Sequence, residues 1–579
     1  MTIPIPDHLK DLPEISAEEI REMTGEGSVR FEGKVVQGDA LEALHGAFFK
    51  GVPVHVEGSF IGGDLDLTNG IPVFVEELEG IDPDLKKLLE NRGLSEVVIL
   101  TAPIFIGRGT RIQGALLAGQ MVVFSSYFSF SEVTIAERVF LLGATFGPLA
   151  SFRDTEFAEE AVFSHVNFAG VASFDGTIFG KGASFNGATF GDSTSFKGAT
   201  FGEGTSFEGA TFGVGANFLG ATFGGGASFE YATFGKKARF GSATFGEEAR
   251  FDGATFGEGA SFRLANIGAG VNFEEAKFGR GASFEFARFD EMAGFVGATF
   301  GEEARFSSAT FGERSSFHST IFGEGASFTR VNFRAGAKFI GTTFQGSAVF
   351  LGRRGREGEE EEFVFGGEVD FRNLILEAPD KVRFQHANLS QARFLNTRLD
   401  KIQFIDVDWH EREGRKALYD EEFAEEGYEL VAQLYRQLKK NYEEQRDYPG
   451  AGDFHYGEME MTLKQQWKDG KFLSWLLTRA YKFLSGYGEE PLWAIYILFW
   501  IWVLPAILAY MQPIMSTDPS PGFFGGLLDS LLVSIKAMSL RLPETPKPIL
   551  GKFVMILQVF LGPIQLALTA LALRRKFQR

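Results

Sequence analysis

Cysteine is absent from this 579-residue chain, which excludes disulfides, thiolate zinc sites, iron–sulfur clusters and cysteine nucleophiles and fits a reducing compartment. Histidine is scarce, with 8 residues scattered along the chain. No nucleophile and base share a usable spacing, so the sequence predicts no catalytic residue and no enzyme. His455 and Glu458 are spaced like a metal pair, but no third or fourth ligand accompanies them, and no metal or cofactor is expected. Basic charge is in deficit: 56 Lys+Arg against 76 Asp+Glu give a net charge of −20, which disfavours a nucleic-acid partner. Residues 1–25 carry acids throughout and no apolar run, so no signal peptide is predicted.

What the chain has in excess is phenylalanine, with 64 residues, and glycine, with 71. The pairing reflects a repeat. Phenylalanines alternate 5 and 6 apart through 18 periods of 11 residues from Phe152 to Phe350, and only Ile267 interrupts the pattern. A small residue stands two positions before nearly every Phe, as in Ala221-Thr222-Phe223 and Ala227-Ser228-Phe229. A period of two in segments this short predicts three-residue strands with Ala and Phe inward, joined by glycine corners such as Gly224-Gly225-Gly226. Strands this short hold together only by stacking coil on coil, so the expected fold is a β-solenoid. Four sides per coil would place two periods in each turn, with coils about 4.8 Å apart.

Downstream the spacing tightens to five through Phe384, Leu389, Phe394, Leu399, Phe404 and Trp409. The unit Ala387-Asn388-Leu389-Ser390-Gln391 resembles the A-(D/N)-L-x-x unit of pentapeptide-repeat proteins, and the 11-residue section resembles a Phe-rich variant of that family. The resemblance implies a right-handed quadrilateral β-helix. An irregular early coil, residues 58–67, puts the solenoid start near Ser28, and Asp82-Pro83 begins a short helix in an insertion. The acids Glu359 to Glu362 read as a solvated surface loop.

Beyond Trp409, Tyr428, Val431, Leu434, Tyr435, Leu438 and Tyr442 recur at helical spacing. Residues 447–452 break this helix, and Asp453 is placed to cap a second one running toward Leu477. The stretch Gln433 to Met461 resembles the connector that many pentapeptide-repeat proteins carry before a membrane domain. Leu492–Met511 and Phe553–Leu573 are long enough to span a bilayer, and Phe523–Ile535 has the length of a re-entrant helix. Lysines and arginines before the first run and after the second place both ends and the solenoid in the cytoplasm, beneath the plasma membrane. The sequence thus divides into an N-terminal segment (1–27), a solenoid (28–410), a helical connector (411–482) and a membrane domain (483–579).

The membrane arrangement resembles the two-span pore domain of potassium-channel-like proteins, and its flanks, Ser485–Leu492, Leu561–Pro563 and Ala572–Phe577, resemble those of bacterial pentapeptide-repeat channel proteins. That resemblance implies a homo-oligomer, a tetramer in the first instance, conducting ions through the lipid bilayer. The pore loop would be Ser534, Lys536, Ala537, Met538, Ser539, Leu540 and Arg541, which lack the glycines of a potassium filter. Lys536 and Arg541 would favour anions or reach the outer headgroups. Gln558, Gln565 and Thr569 fall on one helical face, suited to lining water or to bonding a neighbouring helix, and Gly562-Pro563 is expected to kink that helix. Gly486-Tyr487-Gly488 precedes the first run and reads as a turn. The leading expectation is a channel regulated or assembled by its solenoid. The alternatives are a membrane-anchored scaffold for protein–protein interaction and an acidic DNA mimic.

Overall fold

The computed structural model describes residues 10–68, 70, 72–77, 83–119, 121–353, 364–511, 531–532, 535–536 and 549–577. The chain divides into two compact units, Met1–Leu389 with Gln403–Asp408 and Ser390–Ile402 with Trp409–Arg579.

The first unit is a β-solenoid. Thr189 pairs in parallel with Thr211 and Thr211 with Thr233, so each coil takes 22 residues and therefore two of the 11-residue periods. Four faces follow one another within a coil: Val171–Ser173, Ile178–Phe179, Ser184 and Thr189–Phe190, each bonded to its counterpart in a neighbouring coil. Two faces extend into sheets of 13 and 14 strands. Through the middle of the solenoid the other two are held only by single bridges, such as Ser206 to Ser228 and Asn217 to Arg239. The expected three-residue strands are thus shorter. On the two broad faces only the Thr-Phe pair is extended, because the glycine corners take up the rest of each side.

Inside, the phenylalanines form continuous stacks along the axis. Phe229 lies parallel to Phe251 at 4.9 Å and to Phe207 at 5.0 Å, and edge-on to Phe223 at 5.2 Å within its own coil. The rings repeat at the strand spacing, so one geometry satisfies both backbone pairing and ring stacking. Ala221 and Ala227 are fully buried between them. The glycine that follows most Thr-Phe pairs has a separate cause: a Cβ at Gly257 would lie 2.7 Å from the backbone N of Lys236 in the preceding coil. The tightened spacing further on shortens the coil, since Phe384 pairs with Phe404, 20 residues later.

At the N-terminal end a capping box of Ser16 and Glu19 starts helix α1 (Ala17–Gly25). Helix α2 (Asp39–Phe49) interrupts the first coil, a feature the period-two reading did not anticipate. The insertion forms α3 (Pro83–Asn91), with proline at its first position as expected. Leu85 and Leu89 pack on Val75, Val97 and Val123. Arg92 fastens this helix to the side of the solenoid, donating to Thr145 Oγ1 at 2.9 Å and His165 O at 3.0 Å. Asp82 and the run Glu359 to Glu362 lie outside the described residues.

The second unit is mainly helical. An antiparallel hairpin pairing His410 with Ala417 leads to α4 (Tyr428–Glu444) and α5 (Tyr448–Lys468). Two expectations are corrected here. Asp447, not Asp453, caps α5, accepting from Gly450 N, because Pro449 fits the first turn of a helix where the sequence pattern reads as a break. The second helix does not reach Leu477: it stops at Lys468, Gly470 turns with φ +69°, and α6 (Phe472–Ser485) begins afresh. A 3₁₀ turn, Gly486–Gly488, then leads into α7 (Pro491–Met511), which packs against α8 (Ile549–Phe577).

Candidate functional site

In the second unit a buried ionic knot sets the connector. Glu421, with a side chain only 2% exposed, receives bonds from Arg415 Nη2 at 2.8 Å and Tyr435 OH at 2.7 Å, and Arg412 approaches its other oxygen at 3.4 Å. Burial opposes ionisation of Glu421, but the adjacent Arg415 outweighs it and holds the carboxyl below its usual range. Tyr435 OH in turn accepts from Leu418 N, so one carboxylate ties hairpin, loop and α4 together. On α5, Glu458 sits among Arg436 and Lys439, both at 2.9 Å, and His455 at 3.7 Å. Burial works against its charge, yet His455, Lys439 and Arg436 prevail and bring its pKa down to about 2. Glu458 is therefore the centre of an ion-pair cluster with Arg436 and Lys439, and the described residues contain no group of three or more candidate metal ligands.

The Gly486–Gly488 turn is the junction of this unit. All three residues are buried and in the left-handed region, with φ of 55°, 60° and 80°. Ser485 Oγ accepts from Gly488 N, and Arg575 Nη1 donates to Tyr487 O at 3.0 Å and Glu489 Oε1 at 2.9 Å. The expected turn is thus a clamp between the start of α7 and the end of α8.

The three helices around it present apolar side chains outward. Helix α6 exposes Phe472, Leu473 (70%), Leu476, Leu477 and Phe483, while Lys482 of the same helix turns inward to Glu460 on α5 at 2.8 Å. Leu492, Tyr496 and Phe499 of α7 and Ile556, Phe560, Ile564 and Leu566 of α8 are also exposed. The polar residues do the reverse. Gln558 Nε2 donates to Ile501 O at 3.1 Å, Gln565 Nε2 to Leu484 O at 2.7 Å and Ala494 O at 3.0 Å, and Thr569 Oγ1 to Gln565 O at 2.7 Å. All three side chains are buried. Gln558 and Gln565 thus bond the backbone of α7 and of the end of α6, and Thr569 bonds the backbone of its own helix. Gly562 lines an apolar cavity of about 440 Å³ with Ile495, Phe499 and Leu566. Pro563 is half-buried in a helix that continues on both sides of it.

Of the expected pore loop, only Lys536, exposed on a short helical piece, is among the described residues. Ser534, Ala537, Met538, Ser539, Leu540 and Arg541 lie outside them, as does most of the expected re-entrant helix. The two-span expectation is also reduced. Among the described residues one helical segment, Ile556–Arg575 with mean hydropathy 1.9, is long and apolar enough to cross a membrane, and the apolar stretch Pro491–Leu504 is shorter. Multi-pass placement in the plasma membrane, with both ends cytoplasmic, therefore has no support beyond that one segment.

Sequence reasoning missed Glu421, Arg415 and Arg575, whose partners lie 6 to 88 residues away and follow no period. The apolar face of α6 was legible, since Leu473, Leu476, Leu477 and Ala480 fall at i, i+3, i+4 and i+7, but the segment was absorbed into the preceding helix.

A β-solenoid followed by a helical unit with an outward apolar face is the class that fold and site define. Residues 152–200, 185–233, 229–277 and 273–321 match the family model described as pentapeptide repeats (9 copies), so this Phe-rich part of the solenoid is built of pentapeptide repeats. No curated protein and no solved structure matches the chain.

Proposed function

We propose that this chain is a pentapeptide-repeat scaffold held on a lipid bilayer by its C-terminal helices. The observation that carries the reading is the inverted polarity of α6, α7 and α8: apolar side chains face outward while Gln558, Gln565 and Thr569 are buried. In water such an apolar surface is unfavourable, and in a bilayer it is the stable arrangement. Trp467 at the end of α5 and Trp475 on α6, with Arg479 lying over the Trp475 ring at 5.2 Å, give this face the aromatic and basic side chains of a headgroup layer. The solenoid supplies repeating outer faces. At one corner Leu264 and Phe286, on successive coils, are exposed and held at φ of 61° and 58°. Large side chains in that conformation are costly, which fits a contact surface.

Ion conduction, the finer expectation, draws no support from the described residues, because the polar face of α8 spends its donors on backbone carbonyls. Both readings are tested with the full-length protein in membranes. Scaffold attachment predicts that it stays in the membrane pellet through an alkaline wash. Phe560→Lys with Leu566→Lys, each lysine costing about 2.5–3.5 kcal/mol at a helix centre, should release it with the solenoid intact. A wild-type protein found entirely in the soluble fraction overturns attachment, and unitary currents in planar bilayers would restore the channel.

A further inference from the structure

Beside the clamp is a cavity of about 580 Å³ lined by Lys439, Glu443, Tyr448, His455, Glu489 and Arg575. It is charged on both sides. Lys439 and Arg575 bring cationic groups, and Glu443 and Glu489 bring carboxylates. A second cavity of about 590 Å³ meets it at Glu489 and continues along the start of α7 past Pro491, Leu492, Trp493 and Tyr496. The side chains are held ready. Lys439 is fixed by its bond to Glu458 and Arg575 by its bonds to Tyr487 O and Glu489, and His455 lines the same cavity.

We propose that this pair of cavities binds a molecule carrying a phosphate and a primary ammonium, with an apolar tail: a zwitterionic phospholipid of the ethanolamine type. The phosphate meets Lys439 and Arg575, whose N–H groups match its oxygens. The ammonium meets Glu443 and Glu489, and the tail runs over Leu492, Trp493 and Tyr496. A purely anionic headgroup would leave Glu443 and Glu489 facing a like charge, and a quaternary ammonium would bring them no N–H. The proposal rests on the membrane reading above, because Arg575 ends the segment suited to cross a bilayer and so puts the cavity at headgroup level. The same charge pattern would accept free phosphoethanolamine, a soluble source of the same chemistry.

The test uses the full chain purified in detergent, with native mass spectrometry counting bound dihexanoyl phosphatidylethanolamine, dihexanoyl phosphatidylglycerol and phosphoethanolamine. One ethanolamine lipid per chain is expected, bound roughly tenfold or more tightly than the glycerol lipid, as the loss of one charged hydrogen bond implies. Glu443→Gln, on an exposed helical position, should erase that preference. Lys439→Gln should weaken both lipids by a similar factor, with α4 and α5 still folded by circular dichroism. Equal binding of both lipids, or binding indifferent to both variants, overturns the proposal. Phosphoethanolamine binding as tightly as the lipid keeps the headgroup chemistry and overturns the tail groove and the lipid source. A chain that pellets with membranes but shows no headgroup preference defeats this proposal alone, whereas a chain that never pellets defeats the attachment reading.

Discussion

Arg575, near the end of the last helix, donates to the backbone carbonyl of Tyr487, 88 residues earlier, at 3.0 Å and to Glu489 at 2.9 Å. The bond closes α7 and α8 at a strained turn, since Tyr487 is a non-glycine residue at φ +60°. Arg575→Gln should therefore loosen the helical unit. Loss of hydrogen bonds from a charged donor is worth about 1.5–3 kcal/mol, read as a lower melting temperature for the helical signal in detergent. Arg575→Lys should recover part of it, and a melt unchanged in both variants would show that the clamp carries no stability.

Glu421 accepts from both Arg415 and Tyr435 on one oxygen, with Arg412 on its other oxygen. Removing it leaves Arg415, also buried, without its counter-charge. Glu421→Ala should cost about 3–5 kcal/mol, the range for breaking a buried pair from one side. Replacing Arg415 and Glu421 together with apolar residues should cost less than Glu421→Ala alone. A double variant as unstable as the sum of the two singles would mean that the two residues act independently.

Glycines of the solenoid corners divide by cause. A Cβ at Gly257 meets the backbone of the previous coil at 2.7 Å, whereas at Gly225 its nearest neighbour is Glu247 O at 3.6 Å, and neither has positive φ. Gly257→Ala is expected to destabilise the solenoid by about 1–3 kcal/mol, and Gly225→Ala to leave it nearly unchanged. Denaturant midpoints of the two variants check this, and equal losses would show that the close approach to the preceding coil is not the cause.

The solenoid was legible because its period repeats one physical requirement many times: an inward Phe, a small inward partner and a glycine where two backbones meet. Even Ile267, the exception in sequence, is a buried exception in space. The helical unit offered less. Its decisive contacts, such as Gln565 to Ala494 and Arg575 to Tyr487, join residues 71 and 88 positions apart and leave no local pattern. Glycine and proline in residues 447–452 read as a break, but a proline in the first turn is compatible with the helix that forms there. The face of Gln558, Gln565 and Thr569 was identified from spacing alone. Its use was not, because spacing gives the face of a helix and not what lies against it.

Acid should act on the connector through Glu458. Its folded pKa is lowered to about 2 against an ordinary 4.5, so the unfolded chain takes up the proton first. The stability it contributes is complete above about pH 4.5 and is lost as the pH falls toward 2. Asp420 acts in the opposite sense. Burial raises its pKa to about 6, so its share of stability grows as the pH falls from 6 toward 3.8. On these two groups the helical unit should gain stability between pH 6 and 4.5 and lose it again as the pH falls below about 4 toward 2. Glu458→Gln should cost about 2 kcal/mol at neutral pH, allowing for solvent screening, and flatten the acid limb. Denaturant melts of the two proteins at pH 7, 5 and 3 decide the point: an acid limb equally steep in Glu458→Gln would assign it to other carboxylates.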